Sequence, residues 1–250
     1  MNDHELAAEL ADRAGAVLLA LREQTGFTDP AALRTAGDLA SQEFLAEALA
    51  THRPHDEILS EEAADNPRRL SASRVWIIDP LDGTREFSEA GRDDWAVHVA
   101  LWEEGRLTAG AVAMPARGMV LGTVTPRSLP EPVAGPLRIA VSRTRPPDLV
   151  GRLARELEAV LVPMGSAGVK IAAVLQGTVD AYVHAGGQYE WDSAAPVAAA
   201  LAAGSHASRI DGTPLVYNKT DPRLPDLVVC RPEIADRMLT EIARQGQDSQ

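Results

Sequence analysis

Two aspartates lie three residues apart at the end of a short apolar run. The segment "VWIIDPLDGT" places Asp79 directly after large apolar side chains and Asp82 three positions later. Pro80 fixes its own φ and favours an extended backbone at Asp79. Two carboxylates held so close repel each other unless a cation lies between them or one of them takes up a proton. Hard divalent cations such as Mg²⁺ prefer oxygen ligands, so this spacing indicates a metal site.

The residues around this pair add to the same chemistry. The Leu81 carbonyl is a further candidate ligand, and Gly83 and Thr84 begin a turn or helix whose free amides would suit a phosphate. The alternative is an ordinary surface turn, because Asp-Gly is a common turn pair. From this segment alone both interpretations stay open.

Three further acidic positions have a functional and a simpler interpretation. Glu61 and Glu62 follow a short apolar pair in "ILSEE", where an exposed acidic loop is the alternative. Asp192 in "EWDSAAP" and Asp38 in "RTAGD" are alternatively N-caps that satisfy the first amides of a helix. Pro196 would then fall in the first turn of the helix that Asp192 opens. Each pattern is weak alone, and their common order along the chain makes the case.

The first half of the chain predicts two helices and a sheet. Apolar residues recur at helical spacing over 5–24, and a second helix is expected to open at Asp38. Short β-branched runs interrupted by Gly, Pro or charge fill 75–125, with a hairpin turn at 103–106. These patterns predict a largely antiparallel sheet packed against the two helices.

The proline-rich stretch 126–136 is the best linker candidate, and strand and helix patterns alternate after it. Strands are expected at 137–142, 160–164, 179–185 and 226–230, and helices at 147–159, 167–176, 192–203 and from 233. Such alternation favours an α/β layer. We therefore predict an N-terminal subdomain over 1–130, with most metal ligands, and a C-terminal α/β subdomain over 137–250, with the last ligand and the substrate specificity.

Composition excludes several classes of function. The net charge of −12 argues against a nucleic-acid partner. Cys230 is the only cysteine, so no intramolecular disulfide forms, which suits a reducing cytoplasm. The acidic N-terminus is unlike a secretory signal, and no run approaches the roughly 20 apolar residues that span a bilayer. We expect a cytoplasmic protein that acts on a small molecule.

Three motifs together resemble a known superfamily. "ILSEEA", "WIIDPLDGT" and "EWDSAAP" are similar, in order and spacing, to the signatures of the inositol monophosphatase-like superfamily, and the resemblance runs from Asp38 to about Asn218. It implies an alternating α-β-α-β-α layered sandwich of the inositol monophosphatase/fructose bisphosphatase type, with α+β and α/β parts. It also implies a Mg²⁺-dependent, Li⁺-sensitive phosphatase.

The resemblance also implies a ligand set for two or three Mg²⁺ ions. Glu61, Asp79 and the Leu81 carbonyl would bind the first ion, and Asp79, Asp82 and Asp192 would bind the second. Glu61 would help to hold a third ion through water. Such ions lower the pKa of a bound water and stabilise an in-line displacement, so no side chain need become a covalent nucleophile.

The same resemblance assigns the water and phosphate contacts. Asp38 would pair with Thr84 to orient the attacking water, although "FTDPAALRTAGD" departs from the family pattern before this aspartate. The amides of Gly83 and Thr84 would hold the phosphate. The six histidines lack the spacing of a zinc site, so they are expected to be surface or core residues.

Residues around the motifs bear on the substrate. "DGTREF", "VSRTR" and "DGTPLVYNK" look like CysQ-type 3′(2′),5′-bisphosphate nucleotidases, which convert 3′-phosphoadenosine 5′-phosphate to AMP and phosphate. Ser142, Arg143, Ser166 and Lys170 would then face the nucleotide, with arginine suited to a second phosphate. The simpler interpretations are a surface arginine and a solvated lysine.

Other functions remain open at this level. One alternative is an inositol-1-monophosphatase or fructose-1,6-bisphosphatase, with broad specificity. Another is a binding protein that kept the fold without the activity. The intact acidic set argues against the second, because a decayed site would be expected to lose a ligand. A homodimer is common in the superfamily, and no segment of this chain identifies an interface.

Overall fold

The computed structural model describes residues 1–247 and begins with two long helices, α1 (Asp3–Thr25) and α2 (Pro30–His52). α1 confirms the helix predicted over 5–24. The Asn2 side chain accepts a hydrogen bond from the Glu5 amide, and the Glu5 carboxylate accepts one from the Asn2 amide. No helix in the described chain is long and apolar enough to cross a membrane.

The second helix begins earlier than expected. The Asp29 carboxylate accepts hydrogen bonds from the amides of Ala31 and Ala32, and Pro30 occupies the first helical position. The prediction that Asp38 opens this helix, as its N-cap or otherwise, is therefore wrong, because Asp38 lies near its middle. The apolar stripe is sparse in the first two turns, and this is why the hydrophobic pattern suggested a later start.

Five strands form the first sheet, in the order β1-β2-β3-β4-β5. They are β1 (Glu57–Ser60), β2 (Arg74–Asp82), β3 (Ala96–Glu103), β4 (Arg106–Met114) and β5 (Met119–Gly122). β1 is parallel to β2, and the other neighbours are antiparallel. The predicted hairpin is confirmed, since Glu103 pairs with Arg106. β1 was not predicted, because four residues are too few to show a period.

The second sheet is mixed and has the order β7-β6-β8-β10-β9. Its strands are β6 (Arg138–Ser142), β7 (Val160–Met164), β8 (Ala181–Tyr189), β9 (His206–Ser208) and β10 (Arg223–Cys230). β6 is parallel to β7 and β8, whereas β10 is antiparallel to β8 and β9. The remaining helices are α3 (Thr84–Phe87), α4 (Asp148–Glu156), α5 (Ala167–Leu175), α6 (Glu190–Ala202) and α7 (Ala235–Gln247).

Alternation along β2 joins the first sheet to two helical layers. Trp76 and Ile78 are buried in a cluster with the apolar residues of α1 and α2. Val75 and Ile77 point to the opposite face and are buried with residues of α5 and α6. The sheet therefore lies between two pairs of helices, and its strands read as nearly continuous apolar runs because both faces are covered.

The second sheet closes the other side of the molecule. Val229 of β10 belongs to the same middle cluster as α5 and α6. On the outer face of this sheet, Ile139 packs in a third cluster with Leu153 of α4 and Met238 of α7. Helices and sheets thus alternate in five layers, which confirms the predicted α-β-α-β-α sandwich.

Residues 123–137, between the two sheets, contain no helix or strand. The division into subdomains over 1–130 and 137–250 stays a prediction, and residues 248–250 lie outside the described residues. The middle cluster combines side chains from both halves, such as Val75 and Val229. The two halves therefore share one apolar core.

Close packing of α6 on β4 requires a glycine at position 110. A Cβ there would lie 2.7 Å from the Ala198 Cβ and 3.0 Å from the Ala195 carbonyl oxygen. We expect Gly110→Ala to lower the free energy of unfolding by about 1–3 kcal/mol, since overpacking shifts the helix or the strand. Urea unfolding would measure this change.

A matched glycine variant controls for the effect of the methyl group itself. Gly151 lies in α4, where an added Cβ would meet no atom within 4 Å. Gly151→Ala should therefore raise the free energy of unfolding by about 0.5–1 kcal/mol, because alanine loses less backbone entropy on folding. Equal stability of the Gly110→Ala variant and the parent would show that α6 does not pack on β4 this tightly.

Candidate active site

A cleft of about 660 Å³ opens where the end of β2 meets the beginnings of α5 and α6. The predicted site residues that line it are Glu61, Asp79, Leu81, Asp82, Gly83, Thr84, Ser142, Arg143, Ser166, Lys170 and Asp192. Asp38 is not among its lining residues. The structure therefore brings together positions more than 100 residues apart, and their individual roles stay predictions.

Asp79 lies inside β2 at a point where the strand becomes irregular. Its register partner on β3 is His98, and the pairing shifts before Asp82. The Leu81 amide donates to Asp79 Oδ1 at 3.1 Å, whereas Asp79 Oδ2 is buried without a hydrogen-bond partner in the described chain. The Ser41 hydroxyl of α2 donates to the Pro80 carbonyl at 2.7 Å and fixes the turn. The simple surface turn is excluded, since Asp79 is only 1% exposed.

Asp82 joins the first sheet to the beginning of α5. Its Oδ2 accepts hydrogen bonds from the Ser166 hydroxyl at 2.5 Å and from the Gly168 amide at 2.8 Å. The Ser166 hydroxyl also accepts from the Val169 amide and caps the helix. Since these contacts use one carboxylate oxygen, the other is left for a ligand in the cleft.

Asp192 is presented by the first turn of α6. The helix begins at Glu190, so Asp192 is its third residue and the N-cap interpretation is wrong. Asp192 Oδ2 accepts a hydrogen bond from the Tyr189 amide at 2.6 Å. The earlier start also corrects the placement of Pro196, which lies inside the helix rather than in its first turn. Glu190 is the first residue of the helix, and its buried carboxylate accepts hydrogen bonds from the amides of Asn218 and Lys219.

The carboxylates raise one another's pKa. Burial, followed by repulsion from Asp82, holds the pKa of Asp79 well above its ordinary value and raises that of Asp192 to about 7. Although the Glu61 side chain is exposed, the protein around it reduces its hydration, and repulsion from Asp192 and then Asp82 adds to this, so its pKa rises to about 8. Neighbouring carboxylates shift in this way when no cation is present.

His98 was missed as a site residue. It is fully buried, its Nε2 lies 3.3 Å from Asp82 Oδ2, and its Nδ1 donates to the Trp191 carbonyl at 3.1 Å. Burial lowers the pKa of His98, so the ring is neutral and Nε2 keeps its lone pair. The expectation of a core or surface residue is confirmed by its burial, and a role in binding a metal stays a prediction. A polar residue inside "AVHVALW", facing Asp79 across the predicted sheet, was the available signal.

These donors fit a divalent cation. Asp79, Asp82 and His98 are spaced so that one ion could contact all three. Asp79 Oδ2 and His98 Nε2 are buried lone-pair atoms that no donor of the described chain satisfies. Unpaired buried acceptors are costly, and a cation would satisfy them while relieving the repulsion between the carboxylates. The predominance of oxygen atoms suits Mg²⁺.

The expected Asp38–Thr84 pair is not formed. The Thr84 hydroxyl donates to the Leu81 carbonyl at 3.2 Å instead. Asp38 is half-buried in α2, where burial and then repulsion from Glu62 raise its pKa to about 7. A hydroxyl donates to one acceptor at a time. If Asp38 and Thr84 are to orient a water together, the Thr84 hydroxyl must therefore break its hydrogen bond to the Leu81 carbonyl and donate to Asp38.

Gly83 occupies a position that only glycine fits. Its φ is +88°, and a Cβ there would lie 3.2 Å from the Asp94 carbonyl oxygen and from Ser166. The backbone of the "DGT" turn therefore approaches the start of α5 closely. Gly83 and Thr84 line the cleft beside the carboxylates, where the sequence predicted a phosphate contact.

The basic side chains are more constrained than expected. Arg143 is half-buried, and its Nη2 lies 2.7 Å from Glu86 Oε1 and 2.9 Å from Glu89 Oε1. Lys170 is buried rather than solvated, and its Nζ donates to the Gly165 carbonyl at 3.3 Å. Burial lowers the pKa of Lys170, against attraction by Asp82. Ser142 accepts a hydrogen bond from an amide of its own loop. The interpretation of Lys170 as a solvated helix residue is wrong, because Lys170 is buried, whereas the interpretation of Arg143 as a surface arginine stays open.

Several solved structures share this fold. An inositol monophosphatase II from Staphylococcus aureus aligns with a TM-score of 0.83 at 21% identity, over 100% of this chain and 96% of that one. An inositol monophosphatase from Thermotoga maritima aligns with a TM-score of 0.77 at 21% identity, over 99% of each chain. At this identity the likeness concerns the fold.

Sequence comparison reaches nearer relatives. A Mycobacterium leprae protein named 3′-phosphoadenosine 5′-phosphate phosphatase is 54% identical over 99% of this chain and 96% of its own length. The Escherichia coli 3′(2′),5′-bisphosphate nucleotidase CysQ is 31% identical over 73% of this chain and 78% of its own. The sequence profile of the inositol monophosphatase family matches residues 4–247. The chain therefore belongs to the inositol monophosphatase family.

Proposed function

We propose that this protein is a Mg²⁺-dependent, Li⁺-sensitive phosphomonoesterase that converts 3′-phosphoadenosine 5′-phosphate to AMP and phosphate. The observation that carries the proposal is the carboxylate cluster around Asp79, whose buried Oδ2 lacks a donor in the described chain. The name of the Mycobacterium leprae relative, at 54% identity over nearly the whole chain, supports the substrate.

The metal ligands would come from both halves of the chain. Glu61, Asp79 and the Leu81 carbonyl would hold one ion, and Asp79, Asp82 and Asp192 a second, with Glu61 near a third. When bound, the ions would activate water and stabilise the charge on the phosphate. His98, whose Nε2 lies 3.3 Å from Asp82 Oδ2, would offer a further ligand to an ion held between Asp79 and Asp82.

The chain's own residues would bind the phosphate and position the water. The amides of Gly83 and Thr84 would contact the phosphate oxygens. Asp38 and Thr84 would hold the water once the Thr84 hydroxyl exchanges the Leu81 carbonyl for Asp38. The exchange would give up the 3.2 Å hydrogen bond from the Thr84 hydroxyl to the Leu81 carbonyl.

Specificity would depend on groups away from the reacting phosphate. We propose that Arg143 and Lys170, with Ser142 and Ser166 beside them, contact the rest of the nucleotide. Because Glu86 and Glu89 already hold Arg143, the second phosphate would have to share its guanidinium with them.

The buried Cys230 thiol is free, which supports a cytoplasmic location. A homodimer remains a proposal from the family resemblance.

The metal proposal predicts strict dependence on Mg²⁺ and inhibition by Li⁺. Phosphate release should stop in excess chelator and return with Mg²⁺. Asp79→Asn should lower kcat by more than about 100-fold, the upper range for groups that merely support a metal ligand. Asp93→Asn is the matched control, because Asp93 is exposed and paired with Arg117 outside the cleft. Full activity in chelator, or near-normal turnover of Asp79→Asn, would contradict the proposal.

Metal binding should stabilise the fold through Asp192. Only the folded chain brings Asp192 to Asp79 and Asp82, so Mg²⁺ should raise Tm by mass action. Asp192→Asn should remove most of this rise while keeping an oxygen that accepts from the Tyr189 amide. Asp221→Asn, an exposed aspartate in the same half, is the control. Differential scanning calorimetry with and without Mg²⁺ measures the shift, and an unchanged shift would exclude Asp192 as a ligand.

Substrate choice should depend on Arg143 and Lys170. A charge-assisted hydrogen bond contributes roughly 1.5–3 kcal/mol, so Arg143→Ala should lower kcat/KM for the bisphosphate nucleotide by about 10- to 150-fold. Hydrolysis of inositol 1-phosphate should change little, since it has no second phosphate. Arg155→Ala, on α4, controls for loss of positive charge.

A second comparison separates recognition from structural damage. Arg143→Lys keeps the charge but loses the planar fork, and it should recover part of the activity. If Arg143→Ala and Lys170→Ala each lower both reactions equally, neither residue recognises the second phosphate. Rates on the nucleotide, inositol 1-phosphate and fructose 1,6-bisphosphate would then decide between the proposed function and its alternatives.

A further inference from the structure

Tyr189 is the exposed aromatic residue of the cleft. Of the large apolar side chains that are exposed in the described chain, it is the one that lines this cavity. Tyr189 is 43% exposed and lies three residues before Asp192. A ligand that covers this exposed ring would be favoured, because it would remove a large apolar surface from water.

Trp191 holds the Tyr189 ring in one orientation. The ring stacks face to face on Trp191, with centroids 4.6 Å apart and planes only 3° from parallel. Trp191 is half-buried, packs against the middle cluster and does not line the cleft. The Tyr189 amide is fixed by its hydrogen bond to Asp192. One face of the Tyr189 ring is therefore covered by protein. Because the ring is already restrained, binding of a ligand would cost little further conformational entropy of this side chain.

The space beside this ring is open. Gly186 and Gly187 precede it on β8 with φ of +133° and +91°, and a Cβ at either position would meet no atom within 4 Å. Both glycines line the cleft. Side chains here would narrow the approach to Tyr189, whereas glycines leave room for a flat group.

We propose that Tyr189, backed by Trp191, is the stacking surface for the base of the nucleotide. The inference rests on the proposed function and deepens it, because it assigns part of the specificity to the base. Aromatic rings bind bases of any sequence through their flat faces. An inositol or sugar phosphate presents no aromatic face, so this surface would favour nucleotides.

Binding of two ligands that differ only in the base tests this surface directly. Isothermal titration of AMP and ribose 5-phosphate, with Mg²⁺ present, would be compared for the parent protein and for Tyr189→Phe, Tyr189→Leu and Tyr189→Ala. The parent should bind AMP more tightly than ribose 5-phosphate. Tyr189→Ala and Tyr189→Leu should weaken AMP binding by about 5- to 150-fold, the range measured for base stacking, and ribose 5-phosphate binding by much less.

The variants separate stacking from other roles of the side chain. Tyr189→Phe keeps the ring and should keep the preference for AMP. Tyr189→Leu keeps apolar bulk against Trp191, so its loss of preference would exclude a merely hydrophobic role. Retention of the Mg²⁺-induced rise in Tm would show that each variant is folded with an intact metal site.

Two results would overturn the inference. One is an equal affinity of the parent for AMP and ribose 5-phosphate, and the other is a preference for AMP that survives in Tyr189→Ala. Failure of the proposed function is distinct, because it would appear as a lack of phosphate release from 3′-phosphoadenosine 5′-phosphate by the parent. The binding comparison tests Tyr189 whichever phosphate ester the enzyme cleaves.

Discussion

Repulsion among buried carboxylates is the constraint on which the rest of this structure depends. Asp79, Asp82, Asp192 and Glu61 share one cleft, and loss of water, followed by repulsion between the carboxylates, raises the pKa of Asp79, Asp192 and Glu61. Such a cluster destabilises the fold unless other groups hold it. The structure supplies those groups as backbone amides and a hydroxyl, which fix one oxygen of each buried aspartate and leave the others for cations.

The layered architecture is what makes this arrangement possible. Asp79 and Asp82 end a strand of the first sheet, and the groups that hold Asp82 begin a helix of the middle layer. Asp192 lies at the beginning of the neighbouring helix of that layer. Glycines permit the close approach, since a Cβ at Gly168 would lie 2.0 Å from His98 Nε2. The apolar core shared by both sheets keeps these element ends in register, so the stability of the core and the geometry of the site are linked.

Around the acidic centre the cleft carries a second set of groups with a different task. Arg143 is restrained by two glutamates, Lys170 is buried above the Tyr182 ring, and Tyr189 is stacked on Trp191. None of these belongs to the carboxylate cluster, and each is held by neighbouring residues before a substrate arrives. Prior restraint lowers the entropy lost on binding. In the proposed function, the acidic centre would hold the metal ions and the restrained residues around it would contact the rest of the substrate.

The sequence by itself determined the local features of this protein. The apolar period of α1 and the β3–β4 hairpin depend on neighbours within a few residues, and they were predicted correctly. The layered fold and the family followed from three motifs in order. Tertiary structure decided the rest. α2 begins at Pro30, so Asp38 lies within a helix. Arg143 is paired with Glu86 and Glu89, which lie more than 50 residues earlier in the chain. His98 became a site residue because β3 pairs with β2 in one register. Such contacts join residues far apart in the chain, and their energies depend on packing that no local pattern records.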